Sequence, residues 1–408
     1  MRGFILSFYR KALYEAKKIS LNDVYSSNGK RMKKLLFIFG TRPEAIKMLP
    51  IINCARVHYA GVFNVRVCVT GQHRQMLDQV LDVFEVRPDY DLNIMEHGQD
   101  LYDVTTRVLL GLREILQEFK PDCILVHGDT TTTLASTLAA YYQKIPVAHV
   151  EAGLRTHNIY SPWPEEINRT VSGCIATFHF APTEVSRENL YWENITQHVV
   201  VVGNTVIDAL LWMVNKINSD AKIISDLTDR FEKLGLDFRR KTILITGHRR
   251  ENFGVGFINI CQAIKEIAIL HPEVQLVYPV HLNPNVQKPV NDILSGLVNV
   301  HLIEPQDYQP FIFLMQQAYI ILTDSGGVQE EAPSLKKPVL VMRNTTERPE
   351  AVNVGTVKLV GTDKNLIVSS VNELLSGGEL YTSMTKAKNP YGDGMTSKHI
   401  LDYLSKNL

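Results

Sequence analysis

Carboxylates stand at what read as the ends of buried strands in three neighbouring segments, 125-LVHGDTTTT-133, 149-HVEAGLRT-156 and 161-SPWPEEINR-169. Each sets an acid (Asp129, Glu151, and Glu165 or Glu166) beside a His or an Arg. Strand ends of an open parallel sheet are where ligands bind. Acids and bases gathered there suit proton transfer on a small bound molecule. Glu151 directly follows an apolar strand, where a carboxylate lacking a partner or a task is costly. Asp129 has a second reading, as a helix N-cap ahead of the Thr run. Glu165 and Glu166 open a helix after Pro164 and fit its dipole. Arg169, about one turn beyond Glu165, is placed to pair with it.

Basic and glycine-bearing loops repeat the pattern elsewhere. In 39-FGTRPEAIKM-48 a strand turns into a helix, with Pro43 suited to its first turn and Glu44 to its dipole. Arg42 and Lys47 of that segment are candidates to face an anion. In 246-TGHRRENFG-254, His248 and Arg249 follow a strand where a phosphate could dock, and His248 is a candidate acid or base near neutral pH. In 322-LTDSGGVQEEAPSL-335, Ser325, Gly326 and Gly327 precede a helix whose bare N–H groups can hold a pyrophosphate. Glu330 and Glu331 are candidates to accept from ribose hydroxyls. Arg343, Glu347 and Arg348 lie near the next strand end, and Phe311 offers a ring for a base to stack on. The polar loop 70-TGQHRQML-77 brings Gln72, His73 and Gln75, either as sugar-hydroxyl partners or as a helix cap. His281 belongs to a polar rim in 279-PVHLNPN-285. In each case the plainer alternative is a solvated turn or cap.

The elements that must position these residues alternate short β-rich runs with amphipathic helices. Strands are expected at 34–39, 65–70, 122–127, 146–150, 177–181 and 198–203. A second series is expected at 242–246, 274–280, 298–303, 319–323, 338–342 and 357–360. Continuous apolar strands between helices indicate parallel sheets covered on both faces. The fold class expected is α/β with two doubly wound Rossmann-like domains, residues 32–204 and 205–391. A C-terminal helix at about 392–408 is expected to cross back onto the first domain. Residues 1–31 read as an extension outside the core, disordered or peripheral, with Met32 opening the first strand.

Bulk composition narrows the function. A length of 408 residues favours two domains. Lys plus Arg and Asp plus Glu are 43 each, so the basic footprint of a nucleic-acid binder is absent. No apolar run reaches the length of a membrane span. The run from Gly3 to Tyr9 is too short for a secretory signal. Five scattered cysteines with no CxxC pair argue for a reducing, cytoplasmic setting and against a zinc knuckle. The Thr run after Asp129 is neither a Walker loop nor a DxD metal motif.

Taken together and in this order, the segments FGTRPEAIKM, HGDTTTTLA, HVEAGLR, SPWPEEINR, TGHRRENFG, LTDSGGVQEEAPSL and NTTERPEAV resemble the non-hydrolysing UDP-N-acetylglucosamine 2-epimerase family. The likeness runs from about Lys33 to the C-terminus and is closest to bacterial members serving enterobacterial common antigen and capsule synthesis. It implies a glycosyltransferase-B-like fold with a UDP-sugar in the interdomain cleft. It implies interconversion of UDP-N-acetylglucosamine and UDP-N-acetylmannosamine, with no redox cofactor and no metal. The implied route is anti elimination of UDP to 2-acetamidoglucal, then re-addition on the opposite face of C2. By position, Asp129, Glu151, Glu165, His248, Lys47 and Arg169 match the catalytic set. Arg42, Phe311, Ser325, Gly326, Gly327, Glu331 and Arg348 match the substrate site. Gln72, His73 and Gln75, joined by Arg249 and His281, match a second, activating UDP-N-acetylglucosamine site present in some members. A homodimer is also implied. The competing expectations are a hydrolysing epimerase, a glycosyltransferase of the same fold, and a non-enzymatic nucleotide-sugar sensor.

Overall fold

In the computed structural model, residues 31–71, 74–346 and 348–408 are described. The extension expected at 1–31 therefore lies, apart from Arg31, outside the described residues. The chain divides into two units. One runs to Phe180 and takes in Ser186–Val200 and Lys398–Leu408; the other comprises Ala181–Val185 and Val201–Ser397.

Seven strands belong to the first unit's sheet: β1 (Lys33–Phe39), β2 (Phe63–Val69), β3 (Tyr90–Asp91), β4 (Cys123–His127), β5 (Val147–Val150), β6 (Phe178–Ala181) and β7 (Val199–Val201). Six form the second sheet: β8 (Thr242–Thr246), β9 (Gln275–Pro279), β10 (Val300–Ile303), β11 (Ile320–Thr323), β12 (Val339–Val341) and β13 (Val357–Leu359). Their orders are 3-2-1-4-5-6-7 and 10-9-8-11-12-13. β1 pairs in parallel with both β2 and β4, and β8 with both β9 and β11. This is the doubly wound α/β class expected from the sequence. The strand order reverses between β1 and β4 and between β8 and β11, and the crevice at such a switch point is where ligands bind.

The central strands are apolar along their length because helices cover both faces. Leu35 to Phe39 are all fully buried, so no strict polar alternation survives to be read. The helix Leu101–Phe119 shows the complementary pattern. Val104, Val108, Leu112 and Leu116 recur at every fourth position and enter the core with Leu36, Ile38 and Ile124. Its start is set by Asp100, whose side chain accepts from the Asp103 N–H. β3 was not expected, since two residues are too short to show a period.

The C-terminal helix Thr396–Asn407 is tied down by specific contacts. Its Tyr403 ring meets Phe178 and Phe180 edge-on, and the hydroxyl lies 2.9 Å from His198 Nδ1. Tyr59 donates to Asp402 at 2.6 Å.

Two histidines are buried side by side in this sheet, His149 on β5 opposite His179 on β6. Burial holds His149 down to about 3 and His179 down to about 4. Both are therefore neutral in the fold and protonate only on unfolding near an ordinary histidine pKa of about 6.5. Their contribution is fully present above that value and is lost as pH falls through it. Stability is expected to drop by roughly 4 kcal/mol between pH 7 and pH 5 from this pair. Denaturant unfolding at both pH values should show the drop, and His149→Gln with His179→Gln should flatten it. An equal slope in the variant would refute the assignment.

Candidate active site

The first unit's switch point is held by one buried carboxylate. Glu44, in the first turn of the helix Arg42–His58, accepts from the N–H groups of Gly40 (3.0 Å) and Thr41 (2.8 Å) and from Thr130 Oγ1 (2.7 Å). It thus joins the loop after β1 to the loop after β4. Gly40 is required by close approach: a Cβ there would lie 2.1 Å from Thr70 Oγ1 and 2.6 Å from Thr132 Oγ1. The helix dipole explains Glu44 only in part; its main work is this cross-loop bonding.

Around that junction sit two carboxylates in unlike settings. Glu151, left-handed at φ 62°, pairs with Lys47 and faces His127 Nε2 at 3.6 Å. The side chains of Glu151 and Lys47 are only 10% and 15% exposed. Burial pushes the Glu151 pKa up, but Lys47 and His127 outweigh it and hold the carboxyl well below its usual range. Asp129 follows Gly128, which turns the chain at φ 66°. Its carboxylate pairs with Arg169 at 2.7 Å. Here burial dominates and, with the like charge of Glu151, raises the pKa against the pull of Arg169. Two neighbouring acids poised in opposite directions are a signature of divided acid–base roles.

The helix Glu165–Ile175 supplies Arg169 and revises the expected pairing. Arg169 reaches Asp129 and, at 3.6 Å, Glu166, not Glu165. Glu166 is buried and also accepts from the N–H groups of Thr156 and His157, whereas Glu165 is partly exposed. The i,i+3 offset turns Glu166 inward with Arg169. The N-cap role, the alternative reading of Asp129, falls to Thr130, whose hydroxyl accepts from the Thr133 N–H.

The second unit's switch point is built on Asp324, fully buried just after β11. Its Oδ2 accepts from the N–H groups of His248 and Arg249, both at 2.8 Å, and from Asn252 at 3.3 Å. His248 stacks on His281 with ring centroids 5.2 Å apart. Burial lowers the His248 pKa, opposed by Asp324 and reinforced by His281 and Arg249. Arg249 lies beside Gly326, its guanidinium 3.7 Å from where a Cβ would stand. The Ser325 N–H donates to Thr323 Oγ1, and Glu331 accepts from Tyr308 at 3.4 Å. Phe311 is half-buried on the helix Tyr308–Gln317.

Two residues expected to face a ligand here already have partners within the protein. Glu330, expected to face a ribose, is buried, paired with Arg348 and hydrogen-bonded by Asn204. Arg348, expected at the substrate site, is the cation of that pair. Of the residues expected at a second nucleotide-sugar site, Gln72 and His73 lie outside the described residues, as does the side chain of Gln75. Arg249 and His281 both stand beside His248. Arg42 begins its helix next to the Glu44 junction, partly exposed. Sequence reasoning missed Asp324, Asn252, His127 and the bonding role of Glu44. The first three each sat inside a quoted motif, but nothing in one sequence marks a buried strand-end acid as a loop anchor. Among the described residues, no group of three or more His, Cys, Asp or Glu is placed to hold a metal. A cavity of about 500 Å³ lined by Pro333, Lys336, Lys386 and Asn389 includes none of these site residues.

Comparison with known proteins bears on this arrangement. The family model described as UDP-N-acetylglucosamine 2-epimerase matches residues 55–405. The chain belongs to the UDP-N-acetylglucosamine 2-epimerase family. It is 58% identical over 375 residues to the UDP-N-acetylglucosamine 2-epimerase of Escherichia coli K12, covering 92% of this chain and 99% of that one. The Yersinia pestis enzyme of the same name is 59% identical, with 92% and 99% covered. A crystal structure of the Neisseria meningitidis UDP-GlcNAc 2-epimerase bound to UDP-GlcNAc superposes with a TM-score of 0.83 at 54% identity, covering 92% of this chain and 100% of that chain. As a member of this epimerase family the protein is an isomerase. Among the described residues of this epimerase, no helix is long and apolar enough to cross a membrane.

Proposed function

We propose that the protein interconverts UDP-N-acetylglucosamine and UDP-N-acetylmannosamine by elimination of UDP to 2-acetamidoglucal and re-addition. The observation that carries this is two carboxylates in unlike settings at one switch point, Asp129 on Arg169 and Glu151 on Lys47 and His127. Inversion at C2 needs a group to take its proton on one face and a group to return one on the other. Asp129, its pKa raised, is suited to hold and release a proton nearer neutral pH. Glu151, kept ionised by Lys47, is suited to serve the opposite face with His127 beside it. Glu165, on the same helix as Arg169, adds negative charge near Asp129. Departing UDP needs cations and donors; His248, Arg249, Ser325 and Gly326 fit that role, with Phe311 for the base. We further read the enzyme as a cytoplasmic homodimer; its five free cysteines fit a reducing compartment, and light scattering tests the dimer. Activation by a second UDP-N-acetylglucosamine is tested by kinetics with UDP-N-acetylmannosamine alone: sigmoidal curves relieved by trace UDP-N-acetylglucosamine support it, hyperbolic ones refute it.

The deciding assay incubates the enzyme with UDP-N-acetylglucosamine in D2O and follows the sugar by NMR. UDP-N-acetylmannosamine carrying deuterium at C2 is the expected product. Stoichiometric free N-acetylmannosamine would point to the hydrolysing reaction instead. No turnover would overturn the catalytic reading.

A further inference from the structure

The second unit contains a buried carboxylate that the family likeness did not single out. Asp324 is fully buried, and three donors converge on its Oδ2. Its other oxygen, Oδ1, has no hydrogen-bond partner among the described residues. The nearest basic group to Oδ1 is His248 Nδ1, 3.7 Å away. A buried carboxylate oxygen left unbonded is costly. A small rotation of the His248 ring would bring Nδ1–H to it, and such contacts commonly tighten only when ligand binds.

Among the described residues, the charged and titratable groups facing His248 are Asp324 from the end of β11, His281 after β9, and Arg249 on its own loop. Only Asp324 is negative. We propose that Asp324 is the positioning residue of His248: it fixes the ring with Nδ1–H toward Oδ1 and supplies the counter-charge when the imidazole becomes cationic against a bound diphosphate. This rests on the reading of the second unit as the UDP half-site. The ring's other nitrogen, Nε2, is then the one that meets the phosphate. With the imidazole protonated, Nε2–H donates to the charge that grows on UDP as the C1–O bond breaks, and the proton stays on the ring. The logic is that of a carboxylate that orients a histidine without itself taking the proton.

The test uses Asp324→Asn. Asparagine keeps an oxygen for the His248 and Arg249 N–H groups but removes the charge, and it can turn an N–H₂ donor toward Nδ1. Histidine-labelled enzyme is followed by ¹⁵N NMR, with the His248 signal assigned from a His248→Gln sample. In the ligand-free wild type at neutral pH, His248 is expected as the Nδ1–H tautomer. In Asp324→Asn it is expected as Nε2–H. With UDP present, the His248 titration should fall by about one pH unit or more in the variant. The alkaline limb of kcat should move to lower pH with it. An Nε2–H tautomer in the wild type, or an unchanged titration in a folded variant, would overturn the inference. The wild-type tautomer decides even if the variant does not fold. A correct tautomer in an enzyme that leaves C2 unlabelled in D2O would instead count against the functional reading alone.

Discussion

Asparagine in place of Asp129 is expected to lower kcat by about 10²- to 10⁴-fold while leaving KM within a few-fold of wild type. The change is nearly isosteric, so the loop after β4 keeps its Asn168 contact to the Asp129 carbonyl at 2.9 Å. What is lost is a group that can carry a proton. The raised pKa of Asp129 comes first from burial and then from Glu151, with Arg169 opposing. The ionised side chain is therefore kept reactive rather than locked, and its removal should appear in the chemical step. Deuterium incorporation at C2 should fall in parallel with kcat. If Asp129→Asn kept its rate of C2 exchange, Asp129 would be a binding residue and the acid–base division at this site would be wrong.

The second large effect concerns the Lys47–Glu151 pair. Glu151→Gln leaves Lys47 buried without its carboxylate and is expected to cost about 3–5 kcal/mol of stability, besides a loss of turnover. The linkage sign follows from the depressed pKa. A carboxyl held low in the fold contributes stability that is present above its unfolded pKa, about 4.3, and disappears as pH falls through the folded value. At neutral pH the whole contribution is in place, so the loss should be largest there. Lys47→Met combined with Glu151→Gln removes both charges and should regain much of the stability without regaining activity. Denaturant midpoints for the two single variants and the pair supply the test. Strict additivity of the two destabilisations would show that the groups are not coupled.

The two sheets could be read from the sequence because parallel strands covered on both faces are written as continuous apolar runs. β1, β4, β8 and β11 were all expected within a residue or two of where they stand. β3 escaped because a two-residue strand carries no period. The site motifs were legible for a related reason: strand ends are punctuated by glycine and by charge, as at Gly128–Asp129 and Gly247–His248. What those charges touch was not legible. Arg169 lies within one turn of both Glu165 and Glu166, and only the direction in which the helix faces the sheet selects Glu166. Arg348 and Glu330 are separated by a short 3-10 turn, a strand and loops, so their ion pair could not be inferred from spacing.

By itself the sequence determined the α/β class, the two series of strands, and the family to which the seven ordered segments belong. It did so because burial period and strand-end punctuation are local properties of the chain. Only the tertiary structure decided which acids are poised and which are structural. Glu151 is held ionised by Lys47 from 104 positions away, Asp129 is raised by burial, and Asp324 anchors a loop 76 positions before it. A carboxylate's charge state is set by the partners and the solvent around it, and the fold brings those together from distant parts of the chain.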